Sequence, residues 1–153
     1  MEYQSEAVDR PAQPVLSIRT RVPVKNLPEA LGQAYMAIGQ YLESLGKAPA
    51  GDPFVAYYNM DMEDLDTEIG FPVSGIDQGK GEIKYREIPA GKFATCLHVG
   101  PYNELGAAYE ALTGWVNEEG YEVSGTVYEF YLNDPVSSPP EDLKTLILFP
   151  IIP

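Results

Sequence analysis

The chain has one cysteine and one histidine among its 153 residues, so an intramolecular disulfide is excluded and a structural zinc cluster has too few ligands. A lone cysteine fits a reducing, cytoplasmic location. Basic residues are also scarce: ten Lys and Arg stand against 23 Asp and Glu, for a formal charge of −13. Nucleic-acid binders need Lys and Arg to displace counterions from phosphates, so no direct nucleic-acid binding is expected. No stretch approaches the ~20 apolar residues of a membrane span. Residues 1–14 lack the basic start and apolar run of a signal peptide and read as a flexible, acidic tail. Gly79-Lys80-Gly81 has neither the helix nor the spacing of a phosphate-binding loop, so no nucleotide cofactor is implied, and no metal or other cofactor is expected.

What the chain does contain is an internal repeat. Residues 32–46 (GQAYMAIGQYLESLG) and 106–120 (GAAYEALTGWVNEEG) align about 74 positions apart, keeping Gly32/Gly106, Ala34/Ala108, Tyr35/Tyr109, Ala37/Ala111 and Gly46/Gly120 in step. At the same offset Tyr57 and Asn59 fall on Tyr131 and Asn133, and TEIGFPV (67–73) matches TLILFPI (145–151) four residues further on. A unit of about 70 residues is too long for a solenoid repeat and too short for a large core of its own. Two copies packing into one pseudo-two-fold domain over 15–153 are therefore expected.

Periodicity sets the elements within each copy. VLSIRTRV (15–22) alternates like a half-buried strand, residues 27–45 carry apolar side chains at helical spacing, and FVAYYNM (54–60) and the segment ending at 67–73 read as a strand pair. Copy one (15–73) is thus strand, helix, strand, strand. The three glycines of 74–81 mark a hinge. Copy two (82–152) opens with strands at 82–88 and 92–99, continues with a helix whose apolar stripe includes Trp115, closes that helix at Gly120, and ends in strands at 126–133 and 144–151. The fold class is α+β: a duplicated strand-helix-strand-strand unit in a mostly antiparallel sheet, with two helices on one face and a central ligand groove.

Strand alternation separates Tyr128, Phe130 and Leu132 from Val127, Glu129, Tyr131 and Asn133. The first, bulkier set is the expected partner of the helices. By the repeat, Val55, Tyr57 and Asn59 then share the opposite face with Glu129 and Tyr131, giving a tyrosine-lined groove with one carboxylate. The repeat is broken at its centre, where Val55 stands in one copy and Glu129 in the other. The eleven tyrosines of the chain supply apolar area and π faces, and a carboxylate among rings suits a lipophilic cation. Tyrosine and glutamate are also ordinary residues of half-exposed strands, so spacing alone leaves both readings open. Acidity equally serves solubility, although the basic-free stretch between Lys92 and Lys144, with nine acidic residues, would also attract cations. His98 is a candidate base or pH switch, and Cys96 reads as a small buried residue.

The segment HVGPYNELGAAYEALTGWVNEEGYEVSGTVYEFYLNDP (98–135), followed by LKTLILFPI, resembles the second half of the GyrI-like small-molecule-binding domain, the effector-binding module of AraC-type and MerR-type transcription regulators. The Gly100-Pro101-Tyr102 turn, the Glu-Phe-Tyr triplet at 129–131 and the two Phe-Pro-Val/Ile segments carry the likeness. It implies a groove for aromatic or cationic compounds with an acidic residue matching Glu129. The expected ligand-binding set is Glu129, Tyr131, Tyr57, Val55 and Tyr102. Lacking a helix-turn-helix, the chain is expected to act as a stand-alone binding or sequestering module and not as an enzyme. The resemblance leaves two alternatives: a hydrolase of strained cyclopropane-bearing compounds using Glu129 and Tyr131, or a protein-binding inhibitor with an unknown partner.

Overall fold

The computed structural model describes residues 3–152. Met1 and Glu2 of the expected tail, and Pro153 of the expected domain, lie outside the described residues. The architecture is α+β and falls into two compact units, Ala12–Pro89 and Met1–Pro11 with Ala90–Pro153.

In the unit Ala12–Pro89, β2 (Gln13–Val22) leads through a 3₁₀ turn into α1 (Leu27–Ser44), followed by β3 (Phe54–Tyr57), β4 (Leu65–Pro72) and β5 (Lys84–Ile88). The sheet order is β3-β4-β2-β5, all antiparallel. α1 starts with Pro28 in its first turn, where a missing N–H costs nothing, and buries Ala34, Ile38 and Leu42 at successive i+4 positions. Ile38 and Leu42 pack on Leu16, Val73 and Ile83, with Ile18, Tyr41, Phe71 and Tyr85 at the margin.

The second unit repeats this plan: β1 (Glu6–Arg10), β6 (Gly91–Val99), α2 (Leu105–Glu119), β7 (Glu122–Val123), β8 (Val127–Tyr131) and β9 (Lys144–Ile152). Its strands run in the order β1-β6-β9-β8, with β7 on the end of β9. α2 buries Ala108, Leu112 and Val116, the repeat partners of the three buried α1 residues, against Ala94, Cys96, Ile147, Phe149 and Ile151. Truncating Ile38 or Leu112 to alanine should cost about 2–5 kcal/mol each, the range for fully buried aliphatics. Gly120 ends α2 at φ 78°, as the repeat and the left-handed cap require. Trp115 is half-buried and stacks on Tyr121 at 5.9 Å, so it edges the core from its rim and does not fill its centre.

The conserved spacing of Asn59 and Asn133 has a local cause. Each asparagine bridges its own hairpin: Asn59 donates to the Asp64 carbonyl and accepts from the Asp66 N–H, and Asn133 does the same with Asp142 and Lys144.

Three expectations need correction. Residues 6–10, read as part of a loose tail, form β1 and pair with β6 from Glu6↔Thr95 to Arg10↔Gly91. The strand at 84–88, assigned to copy two, pairs with β2 of the first unit, so β5 is to β2 what β1 is to β6. An edge strand carries too little apolar pattern to declare which sheet it completes. The third correction concerns parity: Glu129 lies opposite Ile147, which lies opposite Cys96, and both packing partners belong to the core under α2. Val55, opposite Ile69 and thence Ile18, likewise faces α1. The bulkier set was the wrong guide because both faces of β8 are covered. Tyr128 and Phe130 are buried on the far side, against Phe93 and beneath the Arg10 guanidinium, 5.4 Å from the Phe130 ring.

Candidate functional site

Strand alternation puts Glu129 and Tyr131 on one face of β8, beneath α2. Tyr109, one helical turn into α2, reaches down from above. Its hydroxyl donates to Glu129 Oε2, and the Tyr131 hydroxyl donates to Oε1 at 2.7 Å. Tyr102, in the 3₁₀ turn Tyr102–Glu104 that opens α2, packs edge-on against Tyr131 at 5.6 Å, and Phe149 lies 6.0 Å from the Tyr109 ring. Glu129 is 6% exposed. No Lys, Arg or His pairs with it among the described residues, so burial pushes its carboxyl above the usual carboxylate range, and the two phenols offset this only in part. Burial, with the charges of Asp134 and Glu129, also raises the Tyr102 phenol.

A second buried carboxylate, in the other unit, is held in the opposite way. Glu68 of β4 is 3% exposed and faces away from α1. Arg86 of β5 grips it through Nε and Nη2, each at 2.5 Å, while Ser17 and Tyr58 donate their hydroxyls. Burial alone would raise this carboxyl, but the bonds from Arg86, Ser17 and Tyr58 together hold it below the usual range. The Arg19 guanidinium, paired with Asp66 at 2.6 Å, covers the Tyr58 ring at 3.9 Å. This cluster is internally satisfied; its chemistry ties three strands together. Glu129 has donors and no cation.

The sequence-derived set divides accordingly. Glu129, Tyr131 and Tyr102 come together in one unit. Val55 and Tyr57 belong to the other, where Val55 is completely buried and Tyr57 lies half-buried opposite Thr67. Tyr109, which the sequence-derived set left out, joins Glu129 through its hydroxyl, although its retention in step with Tyr35 marked it. Tyr35 shows what the break at position 129 changed: with Val55 beneath it, its hydroxyl donates to the Phe54 carbonyl at 2.9 Å. Thr145, opposite both Tyr131 and His98, has a buried hydroxyl with no partner among the described residues. Its repeat partner Thr67 donates to the Thr20 carbonyl. Burial pushes the Cys96 thiol up to about 11, so it is not a nucleophile at neutral pH. An open concavity of about 790 Å³ lies along β6 and residues 3–6, lined by Thr95, Leu97, Val99 and Leu146 among others. It does not include Glu129.

One consequence of the unpaired carboxylate is measurable without a ligand. Because the folded pKa of Glu129 is raised, the native state holds more protons than the unfolded chain between the ordinary 4.5 and the raised value. Stability contributed by the protonated group is present below 4.5 and is lost as pH rises through that window, at up to about 1.4 kcal/mol per pH unit. Glu129→Gln removes this term, so urea titrations should show the variant gaining on the wild type across the window and levelling off above it.

Among solved structures, the chain is similar to EcmrR in an EcmrR–DNA complex (27% identity, TM-score 0.85, covering 97% of this chain and 57% of that one). The EcmrR C-terminal domain matches at 26% identity and TM-score 0.79, over 99% of both chains. The fold is also shared with SAV2435, solved bound to tetraphenylphosphonium, at 12% identity and TM-score 0.70, over 99% of this chain and 94% of that one. The chain thus spans little more than half the length of the DNA-bound EcmrR protein. No curated protein matches it in sequence. Among the described residues, no helix is long and apolar enough to cross a membrane. The model of the GyrI-like small molecule binding domain matches residues 3–152, and the chain belongs to that family.

Proposed function

We propose that the cluster of Glu129, Tyr131, Tyr109 and Tyr102 binds aromatic, preferably cationic, small molecules. The observation that carries this reading is a carboxylate 6% exposed whose neighbours are phenols and not cations. Such a group is costly to ionise when the site is empty. A bound cation supplies the missing counter-charge, and flanking rings add roughly 0.5–2 kcal/mol each. The tetraphenylphosphonium bound by SAV2435 is a compound of this kind.

The test is calorimetry with tetraphenylphosphonium, using triphenylphosphine oxide as a neutral aromatic control. A cation favours the ionised form of Glu129, so its affinity should rise with pH through a window that ends at the raised carboxyl pKa and then become constant. Below the upper end of that window binding should release a proton, visible as a dependence of the measured heat on the buffer's ionisation enthalpy. Equal affinity for the neutral control, with no proton release, would count against the assignment.

The same raised carboxyl supports a second reading. Protonated in an aromatic setting, Glu129 has the properties of a general acid, with Tyr131 or Tyr109 to orient a water. Strained, cyclopropane-bearing compounds would be its substrates. Recovery of an incubated ligand unchanged by mass spectrometry separates binding from hydrolysis.

A further inference from the structure

The repeat breaks a second time, around the start of α2. α1 is 18 residues long and α2 is 15, and the matched Tyr35 and Tyr109 show that the missing turn is at the N-terminal end. Both copies enter the helix through a proline and a 3₁₀ turn, Pro23 with Val24–Asn26 and Pro101 with Tyr102–Glu104, but copy two has Gly100 ahead of its proline where copy one has Val22. The strand ahead of it also changes. His98 lies opposite Thr145, as Thr20 lies opposite the matching Thr67, so a histidine occupies the position of a threonine.

His98 is 1% exposed, and both its ring nitrogens are engaged. Nε2 is 3.0 Å from the Pro101 carbonyl oxygen. A carbonyl only accepts, so Nε2 donates, and Nδ1 is left to accept the Tyr3 hydroxyl at 2.9 Å. The Tyr3 ring also stacks on the imidazole at 5.9 Å. The turn closes tightly over this ring: Gly100 has φ 144°, and a Cβ there would come within 3.4 Å of His98 Nε2. The next residue after Pro101 is Tyr102, whose ring abuts Tyr131, which in turn donates to Glu129. A continuous set of contacts therefore runs from Tyr3 to Glu129.

We propose that His98, seated by Tyr3, is a positioning residue for the ligand site: it holds the Gly100-Pro101-Tyr102 turn so that Tyr102 stands against Tyr131. This rests on the reading of the Glu129 cluster as the ligand site. It also couples that site to the N-terminal segment, since Tyr3 is carried by the chain that continues into β1. Coupling is reciprocal: whatever unseats Tyr3 weakens the ligand, and the ligand steadies Tyr3 by the same free energy.

The test compares His98→Leu, His98→Gln and Tyr3→Phe by two measurements on the full chain: tetraphenylphosphonium affinity, and amide hydrogen exchange of residues 100–105 without ligand. His98→Leu should weaken binding about tenfold and speed exchange in the turn. His98→Gln, whose amide nitrogen can stand in for Nε2 and donate to the Pro101 carbonyl, should stay within about threefold of wild type with a protected turn. Tyr3→Phe should speed exchange in the turn and weaken binding less than His98→Leu, and it serves alone if His98→Leu does not fold. A merely space-filling role predicts that His98→Gln is no better than His98→Leu, and that result overturns the proposal, as does wild-type exchange in both His98→Leu and Tyr3→Phe. If the wild type itself fails to bind tetraphenylphosphonium, the ligand reading falls. Positioning of the turn is then decided by exchange: a turn loosened in His98→Leu and protected in His98→Gln supports it, and any other pattern overturns it.

Discussion

On the proposed reading, Glu129→Gln should lower the affinity for tetraphenylphosphonium by about tenfold or more, equivalent to ~1.4 kcal/mol, while a neutral aromatic of similar size should change much less. Glutamine keeps the shape of the side chain and an acceptor for the Tyr109 hydroxyl, so the difference isolates charge. Fold stability should remain within about 1 kcal/mol or improve at neutral pH, because the carboxylate that is removed had no countercation. Titration calorimetry with both ligands, on both proteins, provides the check. A uniform small loss for charged and neutral ligands would remove Glu129 from the role of counter-charge.

The opposite outcome is expected at the other buried carboxylate. Glu68→Gln should destabilise the fold by about 3 kcal/mol, the lower part of the range for breaking a buried ion pair, since the Arg86 side chain is 32% exposed and can partly rehydrate. Ser17 and Tyr58 would also lose their charged acceptor. Glu68→Leu combined with Arg86→Met should cost less than Glu68→Gln alone, because no unpaired charge then remains buried. With its folded pKa held below 4.5, wild-type Glu68 contributes stability that is present above 4.5 and lost as pH falls through the lowered value. Urea denaturation at neutral and acid pH measures both effects; equal stability of Glu68→Gln and wild type at pH 7 would show that the network contributes nothing.

These two carboxylates show why the site was only partly legible. Glu129 stood out in the sequence because the repeat offered Val55 as its counterpart. Glu68 was equally mismatched, with Leu146 at its repeat position, yet drew no notice because it lay in a segment read as a strand end. Which acid keeps a countercation depends on Arg86, eighteen residues from Glu68 and on a strand that the sequence assigned to the wrong copy.

Local spacing alone determined the two helices, most strand positions, the duplication and the left-handed glycine that ends α2, because those properties depend on neighbours within a turn or a strand. Tertiary structure decided the rest. A period of two separates the faces of β8 but does not say which face the helix covers when both are buried, so Glu129 came to lie beneath Tyr109 and not on the face away from the helices. Edge strands β1 and β5 joined their sheets through backbone hydrogen bonds that carry no side-chain code. Likewise, only the packing of residues distant in the chain could make one buried glutamate an ion pair and leave the other in want of a cation.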